Sequence, residues 1–146
     1  MSEINVRYLK DNEGDIYYPV THVDAMQGLD KHNWTTFNLN KPALANAAFK
    51  DGDNGFDCAY KSVEIADLKI KSIRLNASNI TDGQLLVTLP STFDLPINPH
   101  NFYIRTPSNR NQAIITIRPN GTVYFYIKDP NWTVSDYIYG QYTWIE

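Results

Sequence analysis

A single cysteine, Cys58, stands in a chain of 146 residues. That excludes an intramolecular disulfide and any multi-cysteine metal site, and it fits a protein made in a reducing cytoplasm. Long apolar runs are also missing. The longest, at residues 113–115 and 123–127, are far too short to span a bilayer, and residues 1–10 lack the core of a signal peptide. Neither a membrane partner nor signal-peptide export is expected. Positive charge is in deficit, with Lys+Arg 13 against Asp+Glu 16, a formal net charge of −3 and a pI near 5.5. A general grip on a phosphate backbone has no support from that balance, so nucleic acid is not an expected partner. Catalytic strings are absent as well: no G-x-S-x-G, P-loop or H-E-x-x-H occurs. His22, His32 and His100 lack metal-ligand spacing and read as solvent or turn residues. Asp51, Asp53 and Asp57 do not match an EF-hand loop and read as a solvated turn, and Cys58 reads as a small buried apolar residue. The expectation is a protein without enzymatic activity and without cofactor or metal.

What is present is a folding composition: hydrophobic residues 42%, charged 20%, and aromatics 13%, with Tyr 10, Phe 6 and Trp 3. Tyrosine carries a broad apolar face and a polar tip, which suits half-buried sheets and wet recognition surfaces. Residues 1–33 read as an attachment segment. Ile4, Val6 and Tyr8 alternate before the turn Asp11-Asn12-Glu13-Gly14 and the run Ile16-Tyr17-Tyr18-Pro19, a predicted β-hairpin. Thr21 and Asp24 then resemble a capping box, and a short helix ends at Gly28.

Residues 34–146 carry almost pure strand signal, at 35–39, 59–65, 68–75, 84–89, 102–105, 112–118, 122–128 and 137–145. This pattern predicts an all-β antiparallel β-sandwich or jelly roll. Asn120-Gly121 predicts a two-residue hairpin turn with both residues at positive φ. Around it, Val123, Phe125 and Ile127 share one face, while Tyr124, Tyr126 and Lys128 share the other. The apolar phase changes between Leu68/Ile70 and Ile73/Leu75, which predicts a bulge or burial of both faces. Aromatics on both faces of 137–145 place that strand either centrally or under a neighbouring chain.

Chemistry that suits sugar gathers in the last third. Planar amide, carboxylate and guanidinium groups bind hydroxyls, and the C–H face of a pyranose rests on an aromatic ring. The loops carry His100 and Asn101, then Arg110, then Asp129 and Trp132. Trp132 and Tyr126 are the candidates for stacking on a ring. His100, Asn101 and Arg110 would bond hydroxyls or a phosphate, and Asp129 would accept from adjacent hydroxyls. The competing reading makes Trp132 a plug over one end of the sandwich and makes Tyr124 and Tyr126 solvent-face strand residues or contacts between subunits.

Two stretches carry a family resemblance. YLKDNEGDIYYPVTHVDAMQGL at Tyr8 to Leu29 is similar to the amino-terminal segment of tail and baseplate proteins of phages infecting Gram-positive bacteria. From Tyr60 onward, a strand pair, LLVTLPSTF at Leu85 to Phe93, AIITIRPNGTVYFYI at Ala113 to Ile127 and a closing aromatic strand resemble the head of phage receptor-binding and tail-fibre proteins. The resemblance implies a β-sandwich or jelly-roll head assembled as a homotrimer. It also implies residues 1–33 held to other baseplate or tail proteins, and a host cell-wall polysaccharide or teichoic acid as ligand, often bound in clefts between protomers. A place in the virion follows, after synthesis in the bacterial host cytoplasm. The alternatives are a purely structural baseplate subunit, or a cell-wall depolymerase using Asp129 and Asp136 as its carboxylate pair.

Overall fold

The computed structural model describes residues 10, 12–16, 33–45 and 55–146. The chain divides into two compact units, Met1–Lys31 and His32–Glu146. In the first, Lys10 and Ile16 form an isolated antiparallel bridge about a turn in which Gly14 takes φ 90°. The remainder of the expected hairpin, the helix expected before Gly28, and His22, His32, Asp51 and Asp53 lie outside the described residues.

The second unit is all-β and antiparallel, and its sheets curl into a half-barrel. Its strands are β1 (Thr35–Thr36), β2 (Leu44–Ala45), β3 (Ala59–Ile65), β4 (Leu68–Ser78), β5 (Gln84–Thr88), β6 (His100–Ile104), β7 (Ala113–Ile117), β8 (Thr122–Tyr126) and β9 (Tyr137–Ile145), with a 3-10 turn at Ser91–Phe93. Among the described residues no α-helix forms. β4 is the hub of a five-stranded sheet. One edge pairs with β3 and then β2, and the other pairs with β9 from Ile70↔Ile145 to Ser78↔Tyr137. The second sheet is four-stranded, in the order β5-β8-β7-β6. The sheets meet where Arg105, just past β6, bridges Tyr139 of β9, whose N–H donates to the Arg105 carbonyl at 3.1 Å.

The expected alternation in β8 holds: Val123, Phe125 and the following Ile127 are buried, while Tyr124 and Tyr126 are half-buried and Lys128 is exposed. With Ile115, Ile117, Leu75 and Ile138 they fill the space inside the curl. Burial of such aliphatic and aromatic side chains contributes about 1.5–3 kcal/mol each.

Three expectations need correction. Of the two readings of the phase change in β4 the bulge does not occur, because its register with β3 and β9 is continuous; Ile73 and Leu75 face the core, and the opposite face is exposed at Leu68, half-buried at Ile70 and buried at Ser72 and Asn76. The irregularity lies in β5, between Leu85 and Val87. Gly121 alone in the predicted turn has positive φ, 83°. Its N–H donates to the Arg118 carbonyl at 2.9 Å, so Pro119, with its fixed φ, opens a turn one residue earlier and the loop has three residues. Strand 35–39 is cut short: after the Phe37 N–H reaches the Cys58 carbonyl, the chain crosses to β5, where the Asn40 N–H reaches the Leu86 carbonyl. β9 lies between β4 and the bridge to β6, so its inner aromatics Tyr142 and Trp144 are packed by its own chain.

Candidate binding surface

Sequence chemistry placed the candidate residues in loops, apart from Tyr126 on its strand, but the fold distributes them over three places. At one end of the half-barrel, the loops after β6 and β8 are tied together. Asp129 accepts backbone N–H bonds from Asn111 at 2.6 Å and Asn131 at 2.8 Å, and these hold its carboxyl below the usual range. Arg110 donates to Asp136 at 2.8 Å. Burial works to raise the Asp136 pKa, but Arg110 and the Thr133 N–H and hydroxyl hold it low. Both carboxylates are thus engaged in tying these loops together. Trp132 donates its indole N–H to the Ile80 carbonyl at 2.8 Å, and its ring packs at 5.3 Å from Phe125. It occupies the plug position.

His100 is in β6, not in a loop. Its ring leans on Trp144 at 4.9 Å, and Nε2 lies 3.2 Å from Glu146. Glu146 also accepts from Lys71 Nζ at 2.8 Å and from the Ile97 N–H at 2.9 Å. Burial opposes its ionisation, yet these donors, led by Lys71, bring its pKa down to about 2. Lys71 is itself fully buried and reaches the Leu95 carbonyl at 2.7 Å. Asp94, at φ 50°, accepts from Ser62 and Lys69 beside it. Together these groups clamp the 94–98 loop across β4 and β9. Cys58 is buried as expected, with burial pushing its thiol up to about 11.

The outer face of the four-stranded sheet is different. Pairing sets Tyr103 opposite Ile114 and Ile114 opposite Tyr126, so one strip crosses β6, β7 and β8. Tyr103 is 69% exposed and Ile114 36%. A parallel strip runs Asn101, Thr116, Tyr124, Leu85. In it, the Thr116 hydroxyl donates to Asn101 Oδ1 at 2.6 Å, and the Arg118 guanidinium lies 5.0 Å over the Tyr124 ring. The Tyr124 and Tyr126 rings stack at 6.2 Å. Lys128 extends into solvent at the end of β8, 3.3 Å from Asp82.

Comparison with protein-family models, curated proteins and solved structures finds no match.

Of the six sequence candidates, Tyr126 and Asn101 therefore lie on one open face. Arg110, Asp129 and Trp132 tie one end of the fold, and His100 belongs to the Glu146 clamp. The residues that sequence reasoning missed are Tyr103 and Ile114. Alternation against the buried Phe102 and Ile104 pointed Tyr103 outward, and the same rule applied to Ala113 and Ile115 pointed Ile114 outward. Among the described residues no group of three or more His, Cys, Asp or Glu side chains could hold a metal.

Proposed function

We propose that the chain is a non-enzymatic receptor-binding head of a phage tail or baseplate that recognises a host cell-wall saccharide. The observation that carries the reading is the solvent-facing strip Tyr103–Ile114–Tyr126 beside the hydrogen-bonded Asn101–Thr116 pair. Aromatic rings offer the C–H face of a pyranose its stacking surface, and amide, hydroxyl and guanidinium groups at the margin serve its hydroxyls. One such flat site binds weakly. Repetition on a homotrimer, and again around a baseplate, supplies avidity without new contacts. In this reading residues 1–33 attach the head to other tail or baseplate proteins.

The test is titration of purified cell-wall polysaccharide and teichoic acid against the intact protein, with its solution mass measured by light scattering. Saccharide binding that falls about tenfold in Tyr126→Ala, from a mass of three chains, supports the proposal. No binding to any wall glycan overturns it.

A purely structural subunit is the second reading, favoured by a different observation. Ile65 opposite Leu68, and Val63, Ile70 and Ile145 in one row, form an aliphatic patch on the outer face of the other sheet, with Ile145 61% exposed. Exposed aliphatic patches without polar partners suit protein contacts more than sugars. Loss of assembly in Leu68→Asp, with no glycan bound by the parent protein, would favour this reading.

A further inference from the structure

The five-stranded sheet has an open edge along β3. β1 pairs with β3 only at Thr35↔Tyr60 and Thr36↔Ala59, and among the described residues no strand continues it along residues 61–65. On this edge the Phe37 N–H reaches the Cys58 carbonyl at 3.0 Å, so the backbone groups that point away from β4 belong to the even-numbered residues. Thr35 takes those of Tyr60. The N–H and C=O of Ser62 and Glu64 then face outward with no strand to receive them. A row of such groups is a template for a further strand.

The side chains beside the edge narrow what that strand can be. On the outer face Val63, Ile70 and Ile145 form one row, and the exposed pair Ile65 and Leu68 forms the next. Lys61 lies on the same face, and Asp67 is exposed in the turn that joins β3 to β4. Among the described residues neither has an ion-pair partner. Glu64 lies on the opposite face, 3.8 Å from Lys69. An edge that carries a lysine and a carboxylate resists indiscriminate pairing, because the incoming strand must answer both charges.

A second copy of the same strand answers them. Opposed residues of an antiparallel pair share a face, which leaves few registers for a two-fold copy. Centred on Val63, the pairing sets Ser62 opposite Glu64 of the second copy, and each such pair exchanges both of its N–H···O bonds. Lys61 comes opposite Ile65 of the second copy and beside the turn that holds its Asp67. The row Val63, Ile70, Ile145 meets its own image, so the aliphatic strip runs unbroken through both copies. The next register towards β1 drives Glu64 against Tyr60, whose edge Thr35 already fills. The next register towards the turn sets Glu64 directly opposite Glu64, like charge against like.

We propose that β3 pairs edge to edge with β3 of a second copy about a two-fold axis at Val63, joining two five-stranded sheets into one. The contact is isologous and closes on itself. It takes no residue of the Tyr103, Ile114, Tyr126 strip, so it is independent of the saccharide reading, and where a head is trimeric through other surfaces it joins two heads.

The experiment is light scattering of the full chain over a concentration series, for the parent, Glu64→Pro and Glu64→Gln. Proline at 64 removes an N–H that the second copy would bond, at a position whose N–H takes no part in the ladder with β4. Glutamine removes the charge and keeps the N–H. Parent and Glu64→Gln should rise to twice the mass of Glu64→Pro, whether that variant is one chain or three. Equal masses of parent and Glu64→Pro at every concentration overturn the pairing. Cysteine substitution reads the register. Val63→Cys creates a non-hydrogen-bonded pair with Cα atoms ~4.5 Å apart, within reach of a disulfide, and mild oxidation should give a covalent dimer. Ile65→Cys sets its two thiols about 14 Å apart along the strands and should stay uncrosslinked. Cys58 is buried and common to all of these proteins. No disulfide in Val63→Cys, or one formed equally fast in Ile65→Cys, overturns the axis at Val63. Thermal melts of each variant keep lost pairing apart from lost fold.

Discussion

The tied end of the half-barrel and its convex face contain the same kinds of residue, yet they do different things with them. At the tied end, the Trp132 indole, the Arg110 guanidinium and the Asp129 and Asp136 carboxylates all have partners within the chain. On the convex face, Tyr103, Ile114, Tyr126, Arg105 and Lys128 stand in or near solvent. A polar group with internal hydrogen bonds loses them when it takes a ligand, whereas a solvated one exchanges only water. In the proposed reading recognition belongs to the second region, while the first holds its loops together.

The sharpest way to break this contrast is in the buried clamp. Lys71→Ala strands Glu146 without its ammonium partner, and a loss of about 3–5 kcal/mol is expected in urea denaturation. Trp132→Ala should cost about 2–3 kcal/mol, below the range for a fully buried tryptophan because the ring is only half-buried. Its glycan affinity per folded molecule should stay unchanged; a loss of affinity at intact stability would return Trp132 to the binding surface. Gly121→Ala places a Cβ against the Leu89 carbonyl at positive φ, and a destabilisation of about 1–3 kcal/mol is expected from its melting temperature.

Acid provides a graded test. The Glu146 pKa is depressed to about 2 from an ordinary 4.5, so its contribution to stability is complete above pH 4.5 and lost as pH falls towards 2. Glu146→Gln should flatten the stability profile across that window. The smallest effect is expected on the open face: Tyr103→Ala should change stability by less than about 0.5 kcal/mol. The same substitution should weaken saccharide binding several-fold, and a large stability loss would mean that the face is part of the core.

Much of the fold was legible in the sequence, because β-strand periodicity is local. Inward and outward residues of β8 could be assigned from Val123 to Lys128 alone. Turn detail was harder, since the competition between Pro119 and the Asn120-Gly121 pair is settled by which hydrogen bond closes the loop. Little of the candidate surface was legible. Trp132, Arg110 and Asp129 have the right chemistry for sugar, and only the structure shows that each is tied to a partner within the fold, Ile80, Asp136 and Asn111. Those partners lie 18 to 52 positions away in the chain.

The sequence by itself determined the all-β antiparallel class, the alternation of buried and outward residues and the burial of Cys58. Each follows from side-chain polarity over a few neighbouring residues. Only the tertiary structure decided which polar groups are tied and which are open, where His100 and Lys71 go, and that the two outer faces join at Arg105 and Tyr139. Those outcomes depend on contacts between strands far apart in sequence, and on burial that makes an ion pair inside the curl act as a clamp.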